Sequence, residues 1–482
     1  MVTVSALPLL DALPRSAALH DVRSGKRLDR QSLAARVMEQ RDAIEQQGWS
    51  ERGFVVVGES GAIDTLVGLF AAWAAGHPVV LVNPKLAAEE CANVAAATGA
   101  VGWIGPGGEN ATLSTGAAST SSEARALGRD EPALVLMTSG TTGVPKGIVL
   151  TLRALEARLH LNLAHVEAAP SALAQSLCVL PLFFGHGLIG NTLTPLMAGG
   201  TAHLMPSPDM AETAGLAALI EREGITFMSS VPTFWKSALR LSPKPDRALS
   251  RVHIGSAPLG LELWEQVADW CGTRAVYNML GMSETANWIA GGSLCDARES
   301  DVADGHVGRA WGGRLAVLSD SGVADQGRGE VLVQTPSVMT HYLNAPDLTA
   351  DAFHGPWLRT GDVGELTGGS LRLVGRIKTE INRGGIKILA EEVDMLLERH
   401  EDVAEACAFG IPDPAAGEAV AAAIVPREGV SLDGAALKAW CVERVRRDAV
   451  PARLFVVDAI PRNDRGKVVR ADVRAHVMGD AS

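Results

Sequence analysis

The chain has 482 residues, 47% of them apolar and 20% charged, with a net charge of −12. That length exceeds what one hydrophobic core supports, so two or more domains are expected. The acidic balance excludes a nucleic-acid surface or an anionic membrane as partner, and any anionic ligand must be met by local cations.

The N-terminal MVTVSALPLLDALPR has no basic leader, and Asp11 and two prolines interrupt its apolar residues, so no signal peptide is expected. FVVVG (54–58) reads as a strand. LVGLFAAWAAGHPVVLV (66–82) is split by Gly76-His77-Pro78 into a helix and then a buried strand, and not a membrane span. Residues 106–132, rich in Gly, Ser and Thr, read as a linker. Beyond it, strands such as ALVLM (133–137) and SLCVL (176–180) alternate with helical segments such as AETAGLAALIEREG (211–224). This predicts an α/β fold: a large N-terminal domain of packed β-sheets flanked by helices. Near residue 376 the pattern resets to a basic stretch, an acidic helix (390–402), two strands around PDP and a last helix (434–448). The expected division is 1–376 and 377–482, the second a smaller α+β domain joined by a hinge. No repeat at a fixed period is apparent. Six cysteines at 91, 178, 271, 295, 407 and 441 show no metal-ligand spacing and read as buried reduced thiols of a cytoplasmic protein.

Directly after ALVLM comes TSGTTGVPKG, Thr138 to Gly147, with three glycines, three threonines, a serine and one lysine. Flexible backbone N–H groups, hydroxyls and an ammonium are what wrap a polyphosphate. The P-loop pattern is excluded, because Gly147 stands where the magnesium-binding hydroxyl would follow Lys146. Taken alone, the stretch also reads as a solvated turn.

Five further stretches follow: GSAPLG (255–260), NMLGMSETA (278–286), LRTGDVG (358–364), GRIKTEINRGGIKI (375–388) and PRNDRGK (461–467). The six, in this order, resemble the motifs of the adenylate-forming superfamily of acyl-CoA synthetases, peptide-synthetase adenylation domains and beetle luciferases. The resemblance implies that a carboxylic acid attacks the α-phosphorus of ATP to give acyl-AMP and pyrophosphate, and that a thiol, coenzyme A, then takes the acyl group. It implies a phosphate loop at Thr138, Ser139, Gly140, Thr141, Thr142, Gly143 and Lys146, and Mg²⁺ at Glu284. The adenine and acyl strip would be Ser256, Ala257 and Pro258, and Gly281, Met282 and Ser283 would also bind the nucleotide, with Leu280 where relatives carry an aromatic residue for the adenine face. Asp362 and Arg376 would hold the ribose, and Lys467 would be the catalytic lysine that swings in for adenylation. Lys378 matches the hinge, and Gly384 and Gly385 the glycine pair beside the pantetheine tunnel, where a side chain would block the thiol. Ala390 replaces the usual proline after that segment.

LPLFFGHGL (180–188) lacks the aspartate by which amino-acid-activating relatives hold an ammonium, and Asn278, Met279 and Leu280 replace the arginine of malonate-activating ones. The remaining pocket candidates, Phe184, His186, Met279, Gly281 and Trp288, are mostly apolar and favour an aromatic, alicyclic or aliphatic acid. Three alternatives stay open: an acyl-AMP ligase serving a separate acyl carrier protein, a nucleotide-binding relative without turnover, and, remotely, luciferase-like oxygenation.

Overall fold

The computed structural model describes residues 7, 9–49, 52–58, 61–106, 110–113, 126–138, 146–166, 170–295, 304–462 and 468–479, the side chains of Ala88, Thr138 and Pro170 excepted. Three sheets organise them. The largest, of fifteen strands, has a parallel half in which Ala18–Asp21, Thr201–Leu204, Gln175–Cys178, Phe227–Ser230, Arg251–Gly255 and Val276–Met282 lie side by side in that order. Its strands are largely buried, with polar residues such as His20, His203, Ser176, Ser229 and His253 set among the apolar ones. From Asn287–Ser293 onward the sheet turns antiparallel and runs through the long strands Ser370–Arg376, Trp357–Thr367 and Gly327–Gln334 to an edge formed by Arg314–Ser319 and Gly322–Ala324.

A second, seven-stranded sheet takes Val55–Val57, Val79–Leu81 and Pro132–Thr138 in parallel. The helix Ala62–Ala74 feeds it and is buried along nearly its whole length, because both sheets press on it. It stops at Gly76 and Pro78, as the sequence predicts, and the strand Val79–Leu81 follows. The third sheet, of five strands, belongs to residues 380–456. Apolar clusters follow the same division: some are built from residues up to 373, others only from Ile381 to Val477. No helix among the described residues is long and apolar enough to cross a membrane.

Some local expectations are corrected. The linker at 106–132 contains a strand, Asn110–Thr112, paired with Gly102–Ile104, and Leu127 within it is buried in the main core. The helical run at 211–224 breaks into Met210–Ala214 and Leu216–Glu223, since Gly215 forms the junction at φ −80°, ψ 4°. All six cysteines are free, but only four are buried; Cys91 is half-buried and Cys295 exposed.

Candidate active site

The TSGTTG stretch joins two antiparallel strands, Pro132–Thr138 and Lys146–Thr151, with Thr138 and Lys146 as register partners. Ser139, Gly140, Thr141, Thr142 and Gly143 lie outside the described residues, as does the side chain of Thr138. On the far side of Lys146–Thr151 a two-residue strand, His341–Tyr342, sets Tyr342 opposite Ile148. The Lys146 ammonium lies 5.7 Å from the Tyr342 ring centre, and the Tyr342 hydroxyl donates to Glu284 Oε1 at 2.8 Å. Burial, and then the Glu284 charge, raise the Tyr342 phenol well above its ordinary range, so it remains a donor. Sequence reasoning did not nominate Tyr342; its one signal was rarity, since the chain has two tyrosines.

Glu284 sits on a 3-10 turn, Ser283–Thr285, at the end of the strand Val276–Met282. The chain reverses sharply there: Ala286 has φ 60° and Asn287 φ 150°. Gly281 is required by that reversal, because a Cβ would come within 3.0 Å of the Asn287 backbone. The fully buried Arg158 braces the turn from below, donating to Ser337 Oγ, Thr335 Oγ1 and the Trp311 carbonyl, while Ser337 donates to the Thr285 carbonyl. All these partners are neutral, and burial pushes the Arg158 pKa down to about 9.

Asp362 and Arg376 face each other across the pair Trp357–Thr367 and Ser370–Arg376, with Nε 2.5 Å from Oδ1. The carboxylate is buried and the guanidinium exposed. The Asp362 charge raises the Arg376 pKa, with smaller contributions from Glu391 and Glu284, so these groups share one electrostatic neighbourhood. The Arg376 amide and the Thr379 hydroxyl both donate to Glu391, which spans the 3-10 turn Ile377–Thr379 containing the exposed Lys378.

Gly384 and Gly385, at φ 59° and 87°, form the two-residue turn between Glu380–Arg383 and Ile386–Leu389. A Cβ on Gly385 would meet nothing within 4 Å. Their positive φ angles meet the torsional requirement of a mirror-type hairpin turn. Lys467 lies outside the described residues. The residues on either side of 463–467 are tethered: Arg462 bridges to Val468 and donates to Glu405, and Arg470 is held by Asp394 at 2.6 Å and Glu391 at 2.9 Å.

The acyl-pocket candidates gather around a π-helix, His186–Leu193. Thr192 and Thr194 donate to carbonyls five residues back, which supports the wide turn, and such turns recur at functional sites. His186 bridges the Ser256 hydroxyl, at φ 68°, and the Ser229 hydroxyl, at 3.0 and 2.7 Å. Ala257 and Pro258 follow in the bend after Ser256. Trp288 packs edge-on to His186, Met279 is buried beside Trp288 and Trp311, and Phe184 lies on Phe183. Leu280, on the opposite face of its strand to Met279, is 7% exposed and belongs to the main core. Met282 and Ser283 are half-buried at the turn. His253, Arg251 and Asn287 join this wall without having been nominated from sequence.

The family pattern described as AMP-binding enzyme matches residues 11–343, and that of the AMP-binding enzyme C-terminal domain matches 392–467. The chain is 36% identical to a sulfoacetate–CoA ligase of Cupriavidus necator, over 72% of its own length and 67% of the relative's. It is 32% identical to an oxalate–CoA ligase of Arabidopsis thaliana, over 72% and 68%. Its fold superposes on ATP-bound MatB from Rhodopseudomonas palustris with a TM-score of 0.83 at 24% identity, covering 99% of both chains.

Proposed function

We propose, from the premise that this chain belongs to the adenylate-forming family of AMP-binding enzymes, that Lys146, Glu284, Asp362 and Arg376 mark the place where its acid is activated. The protein is an AMP-forming acid–thiol ligase, which uses ATP and Mg²⁺ to activate a carboxylic acid and passes the acyl group to coenzyme A. What supports the location is the meeting of three distant segments: the strand after the phosphate loop, the Glu284 turn and the Asp362–Arg376 pair, with Tyr342 between the first two.

In this reading the loop 139–145 and Lys146 take the β- and γ-phosphates. Asp362, with Oδ1 on Arg376 and Oδ2 without a partner among the described residues, accepts from the ribose. Glu284 suits Mg²⁺: one carboxylate oxygen holds Tyr342 and the other has no partner among the described residues, and oxygen donors are what a hard cation takes. The cation neutralises phosphate charge. An acid oxygen bonds to the α-phosphorus as pyrophosphate leaves, and both reactants are anions, so positioning and positive potential supply most of the acceleration. Lys467 brings its ammonium to that phosphate, then leaves as residues 377–482 turn about Lys378 against residues 1–376. The thiol sulfur next bonds to the acyl carbon and AMP departs.

Lys467→Ala tests this. ATP–pyrophosphate exchange is expected to fall on the order of 10²–10³-fold, while thioester formation from supplied acyl-AMP largely survives. Equal loss of both half-reactions would refute the rotation. Acyl-AMP that persists with free coenzyme A, but is consumed on adding a holo acyl carrier protein, would reassign the acceptor.

A further inference from the structure

We propose that the acid carries hydrogen-bond-accepting oxygens at its far end, a second carboxylate or a sulfonate, received by His253, Trp288 and Asn287. This rests on the ligase reading above and adds the chemistry of the distal group.

Arg251, His253 and Gly255 share one face of the strand Arg251–Gly255, because side chains alternate. Gly255 is the near end: a Cβ there would lie 3.3 Å from the Met279 Cβ and 3.7 Å from His186. His253 is one side-chain position farther along, about 7 Å away. Its register partner on the next strand is Ser229, whose hydroxyl is bound to His186. The wall is therefore continuous from His186 to His253.

Arg251 Nε lies 2.8 Å from His253 Nε2. A guanidinium only donates, so that nitrogen accepts, and the ring proton of a neutral imidazole is on Nδ1. Burial, followed by the Arg251 charge, holds the ring well below its ordinary pKa and keeps it neutral. Nδ1 is buried and has no hydrogen-bond partner among the described residues. The same is true of Trp288 Nε1 and Asn287 Nδ2, both of which only donate.

These three donors are neighbours. The His253 and Trp288 rings are 4.5 Å apart, and a Cβ on Gly190 would come within 2.2 Å of Asn287 Nδ2 and 2.7 Å of the Trp288 ring. Buried donors are rarely left unpaired, and each unpaired one carries a desolvation cost. A ligand oxygen relieves it. An apolar acid of the kind expected from the five wall positions offers these groups nothing, whereas an anionic end group also gains from the positive charge of Arg251 behind the imidazole.

Pyrophosphate release by the full-length enzyme is compared for succinate, 3-sulfopropanoate and butanoate, with hexanoate and benzoate alongside. At least one of the two dianions should exceed butanoate in kcat/KM by about tenfold or more, the effect of one satisfied buried donor. Trp288→Phe, which keeps the ring and removes the N–H, and His253→Phe should each reduce that ratio by about tenfold. If His253→Phe does not fold, Trp288→Phe carries the test. Preference for butanoate, hexanoate or benzoate would overturn the proposal and leave the ligase reading standing. A dianion preference that neither substitution moves would also overturn it, since water then occupies the donors. Absence of pyrophosphate with every acid would count against the ligase reading itself.

Discussion

Replacing Asp362 by Asn probes the nucleotide site with little change of shape. Asp362 is 8% exposed, and its one side-chain contact among the described residues is Arg376 Nε on Oδ1 at 2.5 Å. A carboxylate has about four acceptor positions, so it retains capacity for two ribose hydroxyls. A hydrogen bond to a charged group contributes about 1.5–3 kcal/mol net. Losing the charge should therefore raise the Kd for ATP by about 10–150-fold. The loss of folding stability should be small, because the Arg376 side chain is 57% exposed and such pairs contribute about 0–1 kcal/mol. Calorimetric titration with ATP, 2′-deoxy-ATP and 3′-deoxy-ATP separates the readings. The wild type should discriminate against each deoxynucleotide by about tenfold or more, and Asp362→Asn should bind all three nearly alike. If the variant still distinguishes them, or if its melting temperature falls while its Kd does not change, Asp362 does not hold the ribose.

Acid should weaken the large domain through His20 and His203, register partners on adjacent parallel strands whose Nδ1 atoms are 2.9 Å apart. Burial lowers both, His203 to about 4 with a further push from His20, although Glu223 acts in the opposite direction. A folded pKa below the unfolded value of about 6.5 means stability complete above that pH and lost as pH falls toward 4, about 1.4 kcal/mol per unit. Urea melts from pH 7 to 4 should show this slope, and His203→Gln should flatten it; an unchanged slope would contradict the assignment. Gly385→Ala forces a side chain into φ 87° and should cost about 1–2 kcal/mol in chemical denaturation, even though it meets no neighbour. Greater loss of thioester formation than of adenylation would add a role at the thiol's path, while equal loss would leave the turn purely structural.

Much of this was legible in the residues. Alternating strand and helix runs identified the α/β class, and the Gly-His-Pro break at 76–78 separated helix from strand because those residues act locally. The Glu284 turn, the Asp362–Arg376 pair and the Gly384–Gly385 hairpin lie within short motifs whose spacing constrains their own geometry. Tyr342, Arg158 and His253 were hidden for the opposite reason. Tyr342 reaches Glu284 across 58 positions, Arg158 reaches Ser337 across 179, and His253 matters only beside Trp288 on another strand. No local pattern encodes such meetings, which sheet order alone creates. The burial of Leu280 likewise depends on which face of Val276–Met282 meets the core.

The two halves of the molecule are fastened by charge at their rim: Arg399 to Asp304 at 2.7 Å, Arg427 to Glu262 at 2.8 Å, Arg328 to Glu392 at 2.9 Å and Lys236 to Glu405 at 3.2 Å. Each such clasp has at least one solvent-exposed partner and costs less to undo than apolar surface that must be wetted. In the rotation proposed above, the energy that selects one orientation over another would then come from whatever occupies the cleft, so ATP, acyl-AMP and thiol could each set the posture that their own step requires.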